Sequence, residues 1–293
     1  MTGPFRNETP VYVGVPTWGN YDPLFKHAGL TNILKYQHLD EEMNLNFPAL
    51  LEALHSAPEK SIFVLQGVCH NPTGQDVNRD QWTQIADIML EKGHFGYLDT
   101  AYQGLGHGLE EDVYPIRLMA DKGVDMLVCQ SFSKNMGLYS ERVGALHVVC
   151  PSEGIAGNVL DQLRSFVRWE VSSSPAFGAQ LVETVLGDAA LEKEWQAELQ
   201  AARQRLKGLR RELYGLLTEK FATPSPRTGT VEGWRHLVEE NGLFSYTGLS
   251  DAQAERLIHE LHVYLPGTGR INVSGLNDAN LERVARTFDA VIK

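Results

Sequence analysis

The chain of 293 residues lacks long apolar runs, a surplus of basic residues and a paired set of cysteines. No run approaches the roughly 18 to 20 apolar residues that cross a bilayer, so we expect no membrane partner. A formal net charge of −11 argues against nucleic acid and anionic membranes, because both carry negative charge. Cys69, Cys129 and Cys150 each fall at or just after an apolar run. We interpret them as reduced packing residues in a reducing compartment, without disulfide or metal roles.

The first ten residues also lack recognisable targeting features. They read MTGPFRNETP, with neither an apolar signal core nor an Arg-rich amphipathic stretch. We therefore expect a cytoplasmic protein, although a targeting peptide on a longer precursor stays open.

Hydrophobic residues make up 43% of the chain and charged residues 22%, as expected for a globular protein with one large and one smaller domain. Apolar, strand-like runs alternate with amphipathic, helix-like runs. The strand-like runs cover residues 11–15, 61–66, 95–99, 124–129 and 143–150, and two of the helix-like runs cover 79–91 and 113–120. This alternation predicts an α/β fold, a three-layer, mostly parallel sheet with helices on both faces.

The carboxyl-terminal third has a different pattern. Residues 191–219 keep a helical period with a single glycine, which predicts a long helix that joins two domains. Short strand-like and helix-like segments follow at 243–247, 250–259, 270–274 and 278–292. We therefore predict a large domain over residues 1–200 and a small α+β domain over 201–293.

Lys134 is the residue most suggestive of chemistry. It follows the apolar run 124–129 and so lies just beyond the carboxyl end of a predicted parallel strand, where open α/β sheets bind ligands. A partly desolvated amine near other cations has a lowered pKa and can attack an aldehyde. The alternative is an ordinary solvated loop lysine.

Five segments match one family in order along the chain. They are PTWGN at 16–20, HNPTG at 70–74, DTAYQG at 99–104, SFSKNMGLYSERVG at 131–144 and GRINVSG at 269–275. Together they resemble the aspartate aminotransferase subfamily of fold-type-I pyridoxal-phosphate enzymes. The resemblance implies a homodimer that binds pyridoxal 5′-phosphate and exchanges the amino group between L-aspartate and 2-oxoglutarate. Its substrates would be small molecules, namely amino acids and 2-oxo acids.

The resemblance assigns five residues around the cofactor ring. Lys134 would bind the cofactor covalently and act as the general acid and base. Asp99 would keep the ring nitrogen protonated, while Tyr102 and Asn71 would donate hydrogen bonds to the phenolic oxygen. Trp18 would stack on the ring, and Trp18 and Asn71 would also contact substrate. The alternatives are a turn or capping role for Asp99, core packing for Trp18, and ordinary loop positions for Tyr102 and Asn71.

Four further residues would bind charged oxygens. Ser131 and Arg142 match the pair that binds the cofactor phosphate, and Arg270 matches the arginine that binds the substrate α-carboxylate. Arg168 matches the arginine that crosses a dimer interface to bind a distal carboxylate. The alternatives are a surface salt bridge for Arg142 and, for Arg168, a cation that compensates the helix dipole.

The chain also departs from the family pattern. Only ten residues precede the first predicted strand, whereas the family carries a long segment there that supplies phosphate-binding backbone amides. We therefore expect weak cofactor binding, poor solubility and an unprotected apolar edge at 143–150. Tyr21 and Gln66 stand where the family usually has histidines, so the residues that orient Asp99 are expected to differ. Two other functions remain open: an aromatic amino acid transaminase and a truncated, non-catalytic chain.

Overall fold

The computed structural model describes residues 7–293. A six-stranded sheet with the order β2-β1-β3-β4-β5-β6 forms its centre. Neighbouring strands are parallel except for β6, which pairs antiparallel with β5. The strands are β1 (Val11–Val15), β2 (Ile33–Gln37), β3 (Ile62–Gln66), β4 (Phe95–Thr100), β5 (Met126–Ser131) and β6 (Gly144–Val148). The predicted mostly parallel sheet is confirmed.

Eleven α-helices lie within residues 7–293. They are α1 (Tyr21–His27), α2 (Phe47–Ser56), α3 (Arg79–Lys92), α4 (Leu109–Asp112), α5 (Tyr114–Lys122), α6 (Glu153–Val171), α7 (Phe177–Gly187), α8 (Ala189–Gly215), α9 (His236–Glu239), α10 (Asp251–His259) and α11 (Leu281–Ile292). Local signals fix several ends: Asn78 and Gln81 form a capping box before α3, and Gly93 ends it in the left-handed conformation. In the part of the chain described, no helix is both long and apolar enough to span a membrane.

Helices cover both faces of the sheet, as predicted. Alternate residues of β3 separate into two cores: Phe63 and Leu65 pack with residues of α2, α3 and α5, whereas Ile62 and Val64 pack with residues of α1. A strand that is buried on both faces reads as a continuous apolar run, and the sequence of β3 is IFVLQ. The three-layer α/β architecture is therefore confirmed.

The carboxyl-terminal region surrounds a third core. The strands β7 (Phe244–Tyr246) and β8 (Arg270–Asn272) pair antiparallel, and Trp234 and Phe288 are fully buried nearby. The long helix α8 begins two residues before the predicted start at 191, and a π-helical turn (Leu216–Lys220) follows it. This core also includes Tyr102, which follows β4. The division into domains near residue 200 stays a prediction.

Two glycines allow the carboxyl-terminal region to approach the sheet closely. Gly74 has φ +70°, and a Cβ there would lie 2.7 Å from the Phe244 carbonyl oxygen. Gly242 has φ +77°, and a Cβ there would lie 2.4 Å from Cys69 Cβ. Both positions therefore favour glycine for conformation and for space. This close contact places β7 and β8 beside the loops that follow β3 and β4.

A buried ionic cluster holds this contact together. The Glu240 carboxylate, 4% exposed as a residue, binds the guanidinium groups of Arg210 and Arg227 and the imidazole of His236. Arg227 also donates to the Met43 carbonyl oxygen on the sheet side. Removal of one partner would leave a buried charge unpaired at a high cost in free energy, so each charged group requires the others.

Candidate active site

The predicted cofactor residues meet at one edge of the sheet. The strands β3, β4 and β5 run parallel, so their carboxyl ends lie side by side. Asn71 follows β3, Asp99 lies at the end of β4, and Lys134 follows β5. This edge is the usual ligand site of open α/β sheets.

Lys134 lies in a turn directly after β5 and is partly buried. Its Nζ is 5.0 Å from the centroid of the Tyr102 ring. Burial is the main cause that lowers the pKa of the Lys134 amine, and the Arg142 charge lowers it further, whereas Asp99 opposes the shift. A lowered pKa increases the fraction of neutral amine, which is the nucleophilic form.

Asp99 is held by a residue distant in sequence. Its Oδ2 accepts a hydrogen bond of 2.6 Å from the Tyr21 hydroxyl. Burial raises the pKa of the Asp99 carboxyl, while the hydrogen bond and the Lys134 charge act in the opposite direction. Within residues 7–293, Oδ1 accepts no hydrogen bond, so this oxygen can accept one from a cationic ring nitrogen.

Asn71 and Tyr102 lie next to each other. Asn71 Nδ2 is 3.5 Å from the Tyr102 hydroxyl oxygen, and both residues are buried. The side chain of Gln66 holds the Asn71 backbone from both sides, accepting from its N–H at 2.8 Å and donating to its carbonyl at 3.1 Å. This two-way amide contact fixes the loop at the turn into Pro72.

Arg270 lies on the same side as Asn71. Its NH1 donates to Asn71 Oδ1 at 3.3 Å, and its guanidinium carbon is 4.5 Å from the centroid of the Phe244 ring. A guanidinium over an aromatic face is a favourable contact. The sequence analysis did not identify Phe244, since an aromatic residue in a short strand is typical of core packing.

Trp18 lies on the loop between β1 and α1. It is 38% exposed, and its ring meets the Tyr21 ring edge-on with centroids 5.4 Å apart. The neighbouring residue Thr17 accepts a hydrogen bond from Gln66 at 3.4 Å. A surface of the indole therefore remains open for a ligand, and stacking on a cofactor stays a prediction.

Ser131 and Arg142 lie near the lysine turn. Ser131 Oγ accepts from the Ser133 N–H at 3.2 Å. Arg142 is exposed, has φ +52°, and donates to the Tyr139 carbonyl oxygen at 2.8 Å. Over the described residues Arg142 forms no ion pair, so its charge is available to an anion.

Arg168 is separate from the other predicted site residues. It lies in the last turn of α6, exposed, and donates to the Ser172 hydroxyl. The structure records no contact between Arg168 and any other predicted site residue among 7–293. Its role in binding a distal carboxylate across an interface stays a prediction.

The described residues fit the pyridoxal phosphate that the resemblance implies. The edge carries one amine of lowered pKa, one partly buried carboxylate with an open oxygen, two neutral donors and an unpaired guanidinium. These groups suit an aldehyde, a ring nitrogen, a phenolic oxygen and a phosphate, in that order.

Comparison with known proteins identifies the family. Residues 2–288 match the family model described as aminotransferase class I and II. The chain is 44% identical to an aromatic-amino-acid aminotransferase of Escherichia coli, with 97% of this chain and 70% of the relative covered. It is 39% identical to a cytoplasmic aspartate aminotransferase of Caenorhabditis elegans, with 98% and 69% covered.

A solved structure is also similar. The aromatic-amino-acid aminotransferase of Burkholderia pseudomallei, covalently bound to pyridoxal phosphate, superposes with a TM-score of 0.92 at 36% identity. The match covers 98% of this chain and 70% of that one. The chain belongs to the aminotransferase class I and II family of enzymes.

Proposed function

We propose that the chain is a pyridoxal-phosphate-dependent transaminase that exchanges the amino group between L-aspartate and 2-oxoglutarate, giving oxaloacetate and L-glutamate. The observation that carries this function is the position of Lys134, beside the Tyr102 ring and within the electrostatic influence of Asp99 and Arg142. Arg270 joins the same site through its hydrogen bond to Asn71.

The residues around Lys134 divide the chemistry between them. Bound pyridoxal phosphate supplies an electron sink for the bond that breaks at the substrate Cα. The Lys134 amine holds the cofactor in the resting enzyme and, once released, takes the proton from the substrate Cα. Asp99 keeps a proton on the ring nitrogen, because an ionised carboxylate favours a cationic partner.

The remaining contacts orient the two ligands. Tyr102 and Asn71 donate to the phenolic oxygen of the cofactor, and Trp18 covers its ring. Ser131 and Arg142 bind the phosphate, for which a guanidinium offers paired donors. Arg270 binds the α-carboxylate of the substrate, and Arg168 binds the distal carboxylate.

The proposed role of Arg168 would need a second copy of the chain. No residue of α6 is buried, although the helix carries Leu160, Phe166 and Trp169, of which Trp169 is 70% exposed. Exposed apolar side chains of this size are typical of an interaction surface. We therefore propose a cytoplasmic homodimer in which Arg168 of one subunit completes the site of the other.

An aromatic amino acid transaminase is the second candidate. The identity of 44% to the E. coli aromatic-amino-acid aminotransferase, against 39% to the C. elegans aspartate aminotransferase, favours it. Comparing kcat/KM for L-aspartate with kcat/KM for L-phenylalanine and L-tyrosine separates the two candidates.

The covalent site has a direct test. The purified chain is titrated with pyridoxal phosphate, reduced with borohydride and mapped by peptide mass. We expect the pyridoxyl group on Lys134, and a label on another lysine would refute the proposed mechanism. The same titration, with size-exclusion chromatography, tests the predictions of weak cofactor binding and poor solubility.

A further inference from the structure

Tyr21 touches two of the predicted cofactor residues at once. It is the first residue of α1 and is 2% exposed. Its hydroxyl donates to Asp99 Oδ2 at 2.6 Å, and its ring meets the Trp18 ring edge-on at 5.4 Å. The two partners are predicted to meet the cofactor at its ring nitrogen and its ring face.

The phenol is a donor that does not titrate under ordinary conditions. Burial raises the pKa of the Tyr21 hydroxyl well above its usual value, and the Asp99 charge raises it further. The phenol therefore keeps its proton across the neutral and acid range, and it can donate whenever the Asp99 carboxyl is ionised. A hydrogen bond to the charged form favours ionisation of the acceptor.

Other titratable groups face Asp99 from β4, β5 and the loops that follow them. The groups are Tyr97, Tyr102, Cys129 and Lys134. Burial raises the pKa of both phenols and of the thiol, so these three groups stay neutral near pH 7. Lys134 is the cation among these four groups, and its charge lowers the pKa of Asp99.

We propose that Tyr21 is a positioning residue, which keeps Asp99 ionised and oriented toward the cofactor ring and supports Trp18 against the ring face. The inference rests on the proposed function, since it concerns the same cofactor. In this role a neutral phenol, which does not itself titrate in the neutral and acid range, keeps Asp99 ionised.

The test compares Tyr21→Phe with Tyr97→Phe. The first variant keeps the ring against Trp18 and removes only the donor to Asp99. The second removes a half-buried phenol two residues from Asp99 on the same strand face, where the hydroxyl interacts with Cys129. Circular dichroism and thermal unfolding establish that both variants fold.

The first readout is the dissociation constant of pyridoxal phosphate between pH 5.5 and 8. Tyr21 lowers the pKa of Asp99, so its loss raises that pKa and Asp99 protonates at higher pH. We expect Tyr21→Phe to weaken binding about tenfold at pH 7, and the ratio to wild type to grow as the pH falls. Tyr97→Phe should bind as wild type does throughout.

The second readout is the ¹⁵N chemical shift of labelled pyridoxal phosphate, which reports protonation of the ring nitrogen. We expect a protonated nitrogen in wild type and a shift toward the neutral form in Tyr21→Phe. Tyr21→Leu removes the ring as well and should weaken cofactor binding beyond Tyr21→Phe, because Trp18 then loses its support.

The outcomes separate this inference from the proposed function. Wild-type protein that takes up no cofactor on Lys134 overturns both. Wild-type protein that binds cofactor, with a ratio for Tyr21→Phe that does not change with pH, overturns the inference alone. Equal effects of Tyr21→Phe and Tyr97→Phe also overturn it, since they would indicate general packing.

Discussion

The two ends of the candidate site differ in how firmly this chain holds them. At the end we call the ring end, Tyr21, Asn71 and Tyr102 are 2%, 9% and 5% exposed and bind one another or Asp99. At the end we call the rim, Arg142 and Arg168 are exposed. Among residues 7–293, each rim arginine hydrogen-bonds only within its own segment, Arg142 to Tyr139 and Arg168 to Ser172.

The difference shows that one chain orders only part of such a site. Buried polar groups must be paired, so the ring end has essentially one low-energy arrangement. Exposed arginines retain rotamer freedom until an anion or another surface binds them. The ring end should therefore determine the chemistry, whereas the rim should determine which substrate is accepted.

Replacement of Lys134 should have the largest effect, because it removes the amine that is proposed to bind the cofactor. Lys134→Ala should lower kcat/KM by at least about 10²–10⁴-fold from the loss of proton transfer alone. The chain should keep its thermal unfolding temperature. Lys193→Ala, an exposed lysine on α8, serves as the control, and comparable losses in the two variants would contradict the catalytic role.

The two substrate arginines should separate the ring end from the rim. Loss of Arg270, which contacts Asn71, should weaken the binding of every amino acid substrate by about 2–4 kcal/mol, as for a desolvated charge pair. Arg168→Leu should weaken the binding of aspartate by a similar free energy and leave the binding of phenylalanine nearly unchanged. Arg164→Leu, one turn earlier on α6, is the control for kcat/KM with both substrates.

Equal losses for aspartate and phenylalanine in Arg168→Leu would exclude the distal-carboxylate role. Because Arg168 is expected to act across subunits, mixing Arg168→Leu with Lys134→Ala should restore some activity toward aspartate. Hybrid dimers without activity would place Arg168 outside the partner's site.

Acid should destabilise the folded chain through two stacked histidines. The His38 and His70 rings stack at 3.8 Å, and burial lowers the pKa of His38 from 6.5 to about 4. In the unfolded chain His38 takes up a proton below pH 6.5. In the folded chain it does so only below about pH 4. The stability is therefore complete above pH 6.5 and is lost as the pH falls, by about 2 kcal/mol at pH 5.

Urea unfolding at pH 7 and pH 5 measures this loss. In His38→Gln the difference in the free energy of unfolding between pH 7 and pH 5 should shrink, because glutamine does not titrate. His55→Gln, at the exposed end of α2, should keep the wild-type difference. An unchanged difference in His38→Gln would show that other groups cause the acid sensitivity.

The smallest effect should come from the amide that holds Asn71. Gln66→Ala removes both hydrogen bonds to the Asn71 backbone, so Asn71 and the contacting Arg270 become less ordered. We expect KM to rise about tenfold, the equivalent of one net hydrogen bond or two, with a smaller change in kcat. Gln84→Ala on the surface of α3 is the control, and an unchanged KM would contradict the positioning role.

Local patterns predicted much of the fold correctly. The continuous apolar runs before Gln66 and Asp99 became β3 and β4, because strands covered on both faces need apolar residues throughout. The strand β2 was missed, since its sequence ILKYQ has the polar residues Lys35 and Gln37 and is held by pairing with β1. The strand predicted at 143–150 is shorter, ending at Val148, and Leu146 is 48% exposed at this sheet edge.

The sequence by itself determined the order of the motifs, the parallel sheet and the position of Lys134 after β5, because strand periodicity and turn residues act over short distances. Only the tertiary structure decided the partners. Tyr21 and Asp99 are 78 residues apart and Asn71 and Arg270 are 199 apart, so no local pattern relates them. Packing alone brings these side chains within hydrogen-bond distance, and the exposed Arg168 has no such packing to place it.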